Sequence, residues 1–325
     1  MKTIIFIFIS FLLLFLSLFI AGWLLFGPPG DSSQTITFIV PQNKTGFNVA
    51  KSLLEQKLIR NESAFQFLLD HFALGKDIKS GGYRLNQKMN ARQVLSKITG
   101  NPDLLWFTIS FCARKEQVGE KLAAALGWDQ NKLNTWNTLY QNDQTEYFEG
   151  VYYPDTYLLP TDESPEQIAK RLIDRFNEKF APLADKFMAK NIKWTTGLKI
   201  ASLIAREAAG PEDMKLISGI IWNRLNIDMR LQIDATMQYT IGKKINGSWW
   251  GTVDLDEKQS DSPYNTYRHE GLPPTPICSP DITAIEATLN PEETDCLYYL
   301  HDKYKQIHCA KTFLEHKANI REYLY

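Results

Sequence analysis

Ala201 to Tyr239 reads ASLIAREAAGPEDMKLISGIIWNRLNIDMRLQIDATMQY. Ile200, Leu203 and Ile204 stand at helical spacing and mark one apolar face. Glu207 follows at the next turn and projects from that same face. A carboxylate on a buried face is costly unless it is paired or neutral. Burial raises its pKa toward the range that a general acid needs near neutral pH. Two readings stand for Glu207: a proton donor, or a structural acid paired with a neighbour such as Arg224. Gly210-Pro211 predicts the end of the helix, and Glu212 and Asp213 suit the first turn of the next. Met214, Ile217, Ile221 and Leu225 stripe that second helix. Leu231 to Thr236 reads as an extended run that places Gln232 and Asp234 on one side.

The chain has 325 residues, enough for one membrane segment and two modest domains. The expected class is α+β: an anchor over 1–30, a small module over 31–100 and a larger domain over 101–325. A net charge of −1 offers no global field for nucleic acid. Ile4 to Phe26 carries no charge and is long enough to cross a bilayer as a helix. The small-residue site of a cleaved signal peptide is missing at Gly27-Pro28-Pro29-Gly30, so an uncleaved single-pass anchor is expected. Lys2 precedes the span and no Lys or Arg follows before Lys44. That bias places the N-terminus in the cytoplasm and the bulk of the chain outside.

Thr35 to Val40 alternates as a strand, and Tyr83 to Leu85 reads as another. Helices are expected over Phe47–Leu54, Ser63–Phe72 and from an Asn90 cap to a Gly100 stop. These two strands and three helices make a small α+β module, either a spacer or a wall-sugar binder. Leu104–Ser110 reads as a strand, Glu116–Leu126 as a helix, and Ser164-Pro165-Glu166-Gln167 as a capped helix start. The tyrosines of Val151 to Tyr157 fit a sugar-stacking surface or a core edge equally well. Trp249-Trp250 reads as a platform or an anchor. Tyr264-Asn265-Thr266-Tyr267 and Gly271-Leu272-Pro273-Pro274 are loop sequences whose polar and aromatic side chains suit ligand contacts. Cys112, Cys278, Cys296 and Cys309 lack CxxC spacing, which argues against zinc. They read as small core residues or unpaired thiols, with disulfides open in an oxidising compartment. His301, His308 and His316 read as packing or loop residues. No metal or other cofactor is expected.

At these residues the chain resembles the MltG (YceG-like) family of endolytic murein transglycosylases. The matching pieces are ASLIxxE ending at Glu207, Asn223-Arg224-Leu225, the LQxDxT run from Leu231, and Tyr264-Asn265-Thr266-Tyr267. Gly271-Leu272-Pro273-Pro274, Glu149-Gly150, Pro154-Asp155-Thr156-Tyr157 and the N-terminal span match as well. The resemblance implies that Glu207 is the catalytic acid and that 36–100 is a LysM-like subdomain. It implies substrate contacts from Gln232, Asp234, Thr236, Tyr264, Asn265 and Tyr267. It further implies peptidoglycan glycan strands as substrate, the bacterial plasma membrane as location, and a role in cell-wall assembly and in terminating glycan elongation. Cell-wall synthesis machinery is the implied protein partner. Three positions depart from the family pattern. Ala205 stands where the family has a second Glu, Phe111-Cys112-Ala113-Arg114 where it has a Glu-Gly motif, and His308-Cys309 where it has a His-aromatic pair.

Most glycosidases use two carboxylates. In the implied lytic reaction Glu207 alone protonates the MurNAc–GlcNAc oxygen and then deprotonates the MurNAc C6 hydroxyl, which closes onto C1. Two alternatives remain beside it: a hydrolytic muramidase with Asp234 activating water, and a wall-binding scaffold without activity.

Overall fold

A computed structural model describes residues 2–73, 77–140 and 149–325, with side chains from residue 5 onward. The side chains of Lys2 and Ile4 lie outside that range. The fold is α+β, and the chain divides into two units, residues 1–107 with 157–163, and residues 108–156 with 164–325.

The first unit begins with helix α1, Lys2–Phe26. Its Ile5–Phe26 stretch of 22 residues is apolar and exposed along nearly all its length. Strands β1 (Ile36–Val40) and β2 (Gly81–Leu85) and helices α2 (Val49–Glu55), α3 (Glu62–Phe72) and α4 (Ala91–Ile98) follow. They are the two strands and three helices expected there. Each helix starts on an asparagine, Asn48, Asn61 or Asn90, whose side chain accepts a first-turn main-chain N–H. β1 and β2 run antiparallel with Phe38 opposite Tyr83. Phe38, Leu53, Phe65, Tyr83, Val94 and Ile98 are buried as its core.

The unit extends past residue 100, where the sequence reading closed it. Strand β3 (Leu104–Thr108) pairs antiparallel with β2, and β4 (Thr156–Pro160) completes the order β1-β2-β3-β4. The free edge of β2 needs β3 as its partner, and β3 in turn needs β4. Arg84 N–H donates to Asp103, and the Arg84 guanidinium pairs with Asp162 at 2.6 Å.

The second unit is mostly helical. Helices α5 (Lys115–Leu126) and α6 (Gln130–Thr138) come first. Ser164, with Pro165 and Gln167, forms the expected capping box at the head of α7 (Pro165–Ala189). Helices α8 (Trp194–Glu207), α9 (Met214–Asn226) and α11 (Ile282–Leu289) pack on one another, with Ile200, Leu203, Ile204, Ile217 and Ile285 buried between them. The short helix α10 (Asp234–Ile241), a hairpin of β5 (Tyr298–His301) and β6 (Ile307–Ala310), and α12 (Phe313–Tyr323) complete the unit.

Three readings left open by the sequence resolve here. All four cysteines are paired, as Cys112–Cys278 and Cys296–Cys309. Main-chain bonds draw those segments together: Cys112 N–H donates to Ser279 O, Ser279 N–H to Ala113 O, and Leu297 N–H to Ala310 O. The tyrosine stretch is core, because Tyr152 is fully buried against Trp136, with ring centroids 5.0 Å apart, and Tyr153 is buried beside it. Trp249 and Trp250 are half-buried anchors: their indole N–H groups donate to Glu120 and Gln117, and Arg206 covers Trp250 at 4.1 Å.

Close packing makes one α8 position a stability test. A Cβ on Gly197 would lie 2.1 Å from the ring of Phe187, which is itself buried. Alanine gains up to about 1 kcal/mol of helix propensity there, but forcing a methyl into a filled core costs about 1–3 kcal/mol. Gly197→Ala is therefore expected to lower the denaturant midpoint, and an unchanged or raised midpoint would show that Phe187 gives way freely.

Candidate active site

Glu207 is the last residue of α8. It lines a cavity of about 320 Å³ together with Arg224, Gln232, Asp234, Tyr267, Tyr298, Tyr299, Phe313 and His316. Tyr299 donates its hydroxyl to Glu207 Oε2 at 2.5 Å. Burial pushes the Glu207 carboxyl above its ordinary range. The Tyr299 bond pulls the other way, the charge of Asp234 adds to the rise, and Arg206 and His301 oppose it. The reading of Glu207 as an acid paired with Arg224 fails. The Arg224 guanidinium instead bonds three carbonyls, Leu297 O at 2.6 Å, Leu231 O at 2.5 Å and Arg230 O at 3.4 Å.

The turn after Glu207 is clamped. Asp213, 5% exposed, accepts the main-chain N–H groups of Ala209 and Gly210 and meets His301 Nε2 at 2.6 Å. Strand β5 therefore carries two residues to this corner: His301, which fixes the turn, and Tyr299, which holds the acid. Tyr299 lies opposite Cys309 in the hairpin, whose base the Cys296–Cys309 disulfide closes.

The run from Leu231 is not the extended strand that its pattern predicts. Gln232 has φ +52° and Asp234 already opens α10. A non-glycine residue in the left-handed region is held there by its surroundings. Here Gln232 N–H donates to Thr266 O and Ile233 N–H to Thr266 Oγ1. The bend still brings the exposed Gln232 and Asp234 into the cavity.

Asp234 is an ion-paired acid. It accepts from Lys258 Nζ at 2.7 Å and from the Tyr267 hydroxyl at 2.5 Å. Burial works against the Lys258 amine, yet the bonds to Asp234 and Tyr267 hold it above its ordinary value. Burial and the Asp234 bond push the Tyr267 hydroxyl up to about 12.

Three expected contacts stand elsewhere. Thr236 is fully buried, bonding Ile233 O and the Thr266 hydroxyl. Asn265, also fully buried, ties down the carbonyls of Lys258 and Ser260. Tyr264 bonds Thr275 and packs on Tyr239. These residues shape the loops behind Gln232 and Lys258 and do not line the cavity, because their polar atoms are committed to the fold. Sequence reading missed Tyr298, Tyr299, Lys258 and Phe313. The one local signal was the paired tyrosines beside Cys296 and Leu297. Ala205, 5% exposed, adds no second acid to α8.

A second acid in this unit is more deeply buried. Glu149 is 1% exposed, and burial pushes it up to about 8. It accepts the main-chain N–H groups of Lys115 and Gly150 and the Tyr239 hydroxyl. Those donors enclose it and tie α5 to α10, which is a structural task.

The YceG-like family model matches residues 38–322, and the chain belongs to the YceG-like family. It is 26% identical over 316 residues to a Bacillus subtilis protein named endolytic murein transglycosylase, covering 90% of this chain and 86% of that one. It is 26% identical over 329 residues to a Streptococcus pneumoniae protein of the same name, and spans 59% of that longer protein. A crystal structure of a yceG-like protein from Listeria monocytogenes superposes with a TM-score of 0.62 at 27% identity, covering 88% of this chain and 99% of that one.

The opposing influences on Glu207 give a signed test. Removing the Tyr299 hydroxyl deletes a bond that favours the charged carboxylate, so Tyr299→Phe raises the Glu207 pKa. Asp234→Asn deletes a repelling charge and lowers it. Carboxyl carbon shifts followed by NMR titration, assigned by their loss in Glu207→Gln, read both. Movement of the two variants in the same direction would contradict this site.

Proposed function

We propose that this chain is a membrane-anchored lytic transglycosylase that cleaves the MurNAc–GlcNAc bond within peptidoglycan strands. The observation that carries the reading is one raised carboxyl, Glu207, in a cavity whose other acid is already ion-paired with Lys258. Family membership and the names of the Bacillus and Streptococcus relatives support the substrate class.

Glu207, protonated, donates to the glycosidic oxygen as the bond to C1 breaks. The resulting carboxylate takes the proton of the MurNAc C6 hydroxyl, and the C6 oxygen closes onto C1. The products are a 1,6-anhydro-MurNAc end and a free GlcNAc 4-hydroxyl, and the proton count on Glu207 is restored. The nucleophile belongs to the substrate, so effective molarity replaces a second protein carboxylate. Tyr299 holds the acid in place, and Tyr298, Phe313 and His316 pack on one another and give the cavity an aromatic wall for the sugar. Gln232 and Tyr267 supply hydrogen-bonding groups, and Asp234 steadies Tyr267 and Lys258. The LysM-like reading of the first unit makes it the wall-binding part. The action in cell-wall assembly, the ending of glycan elongation and contact with the synthesis machinery belong to this same proposal.

Glu207→Gln is expected to lower turnover by about 10²–10⁴ and to keep the fold. A group raised on folding loses its contribution as pH climbs through the folded pKa, so the neutral amide is no less stable than the parent at neutral pH. Near-parental turnover in that variant would place the chemistry elsewhere.

Asp234→Asn separates one-acid from two-acid chemistry. In the one-acid reading it loses a charge-assisted contact of about 1.5–3 kcal/mol and keeps anhydro products by mass analysis. Reducing MurNAc ends from the parent, with all activity lost in Asp234→Asn, would establish the hydrolytic alternative.

The anchor reading rests on the length and exposure of Ile5–Phe26. It expects the mature chain to keep residue 2 onward, with residues after 30 outside the cytoplasm. Protein sequencing that finds a mature start near residue 27 to 34 would replace the anchor with a cleaved leader.

A further inference from the structure

The first unit carries an apolar cavity and an aromatic patch that the wall chemistry does not use. The cavity, about 510 Å³, lies between the outer end of α1 and helices α3 and α4. Leu18 and Trp23 on α1, Leu68 and Phe72 on α3, and Leu95 on α4 line it, and Arg92 stands in its wall. Beside it, Phe67, His71 and Phe72 form an exposed cluster. Phe67 stacks on His71 at 4.3 Å and meets Phe72 at 6.3 Å, while Phe67 and Phe72 are 48% and 52% exposed. Exposed apolar clusters of this kind mark interaction surfaces.

The level of these groups follows from helix geometry. Ile5–Phe26 rises about 33 Å, close to the roughly 30 Å hydrocarbon thickness of a bilayer. Leu18 to Phe26 makes up the last ~12 Å of that rise. This end is joined to the unit, not loosely tethered. Phe26 packs on its core, and Arg60 covers Trp23 at 3.9 Å and donates to Pro28 O at 2.6 Å. A span that crosses the bilayer therefore carries Leu68, Phe72 and Leu95 to the depth of the outer headgroups and upper acyl chains. Arg92 is exposed and makes no ion pair among the described residues.

We infer that the first unit sits in the outer leaflet of the membrane, with Phe67, His71 and Phe72 in the interface and the α1–α3–α4 cavity holding the acyl chain of an anionic phospholipid whose phosphate meets Arg92. The apolar lining matches a hydrocarbon chain, and the Arg92 cation at its rim matches a phosphate. The anchor becomes a seat that fixes the orientation of this unit on the bilayer. The inference rests on the anchor reading above.

The test uses the native full chain in vesicles of phosphatidylcholine with phosphatidylglycerol carrying a photoactivatable diazirine in its acyl chain. Peptide mapping after irradiation is expected to find lipid adducts on α3, at Glu62–Phe72, and on α4, as well as on α1. Adducts confined to residues 5–26 would overturn the inference and leave the anchor intact. No adduct on α1 would sink both. Arg92→Glu, at an exposed position, is expected to reduce the labelling preference for phosphatidylglycerol over phosphatidylcholine about fivefold. An unchanged preference would remove Arg92 from the headgroup site and overturn the lipid assignment of the cavity.

Discussion

The buried guanidinium of Arg224 holds the second unit's site together. Its bonds to Leu231 O and Leu297 O tie α9 to both walls of the cavity. One wall brings Gln232 and Asp234, and the other brings Tyr298 and Tyr299. A fixed fork of donors suits this task, because carbonyls converging from separate segments each need a partner once water is excluded. Burial makes the Arg224 cation costly, and those carbonyl dipoles are its compensation. Asp213 performs the matching task on the other side, joining the turn after Glu207 to His301.

Within that frame the two acids of the cavity stand in different surroundings. Glu207 is half-buried in the cavity wall, beside a hydroxyl donor and near another negative charge. Asp234 faces solvent with an ammonium at 2.7 Å. Two carboxyl groups of similar intrinsic acidity are thus held differently, one raised by burial and one paired with an ammonium, through surroundings alone. Glu149 shows that burial by itself is not chemistry. It is the more deeply buried acid, yet main-chain amides and a tyrosine close it off and make it a joint between helices.

The departures from the family pattern have physical correlates. Cys112 stands in the altered Glu-Gly stretch at φ +52°, a backbone conformation that glycine adopts without strain. It is tied to Cys278 by a disulfide and to Ser279 by a main-chain bond. Cys309, beside His308, joins the disulfide that closes the hairpin bearing Tyr299. In both places a disulfide ties two segments of the unit together.

The sequence by itself determined what depends on near neighbours. Helix faces, the Asn90 cap, the Ser164 capping box, the apolar span and the inward acid at Glu207 were all legible, because each is set by residues within a turn or two. Tertiary structure decided the rest. The partner of Glu207 is Tyr299, 92 residues away, and no local period reports such a contact. The run from Leu231 alternates like a strand, yet Thr266 bends it at Gln232 and starts a helix at Asp234. Thr236 and Asn265 looked like ligand contacts because their side chains are polar. Burial committed those polar atoms to the fold, since a buried donor or acceptor must be satisfied by whatever the chain brings beside it.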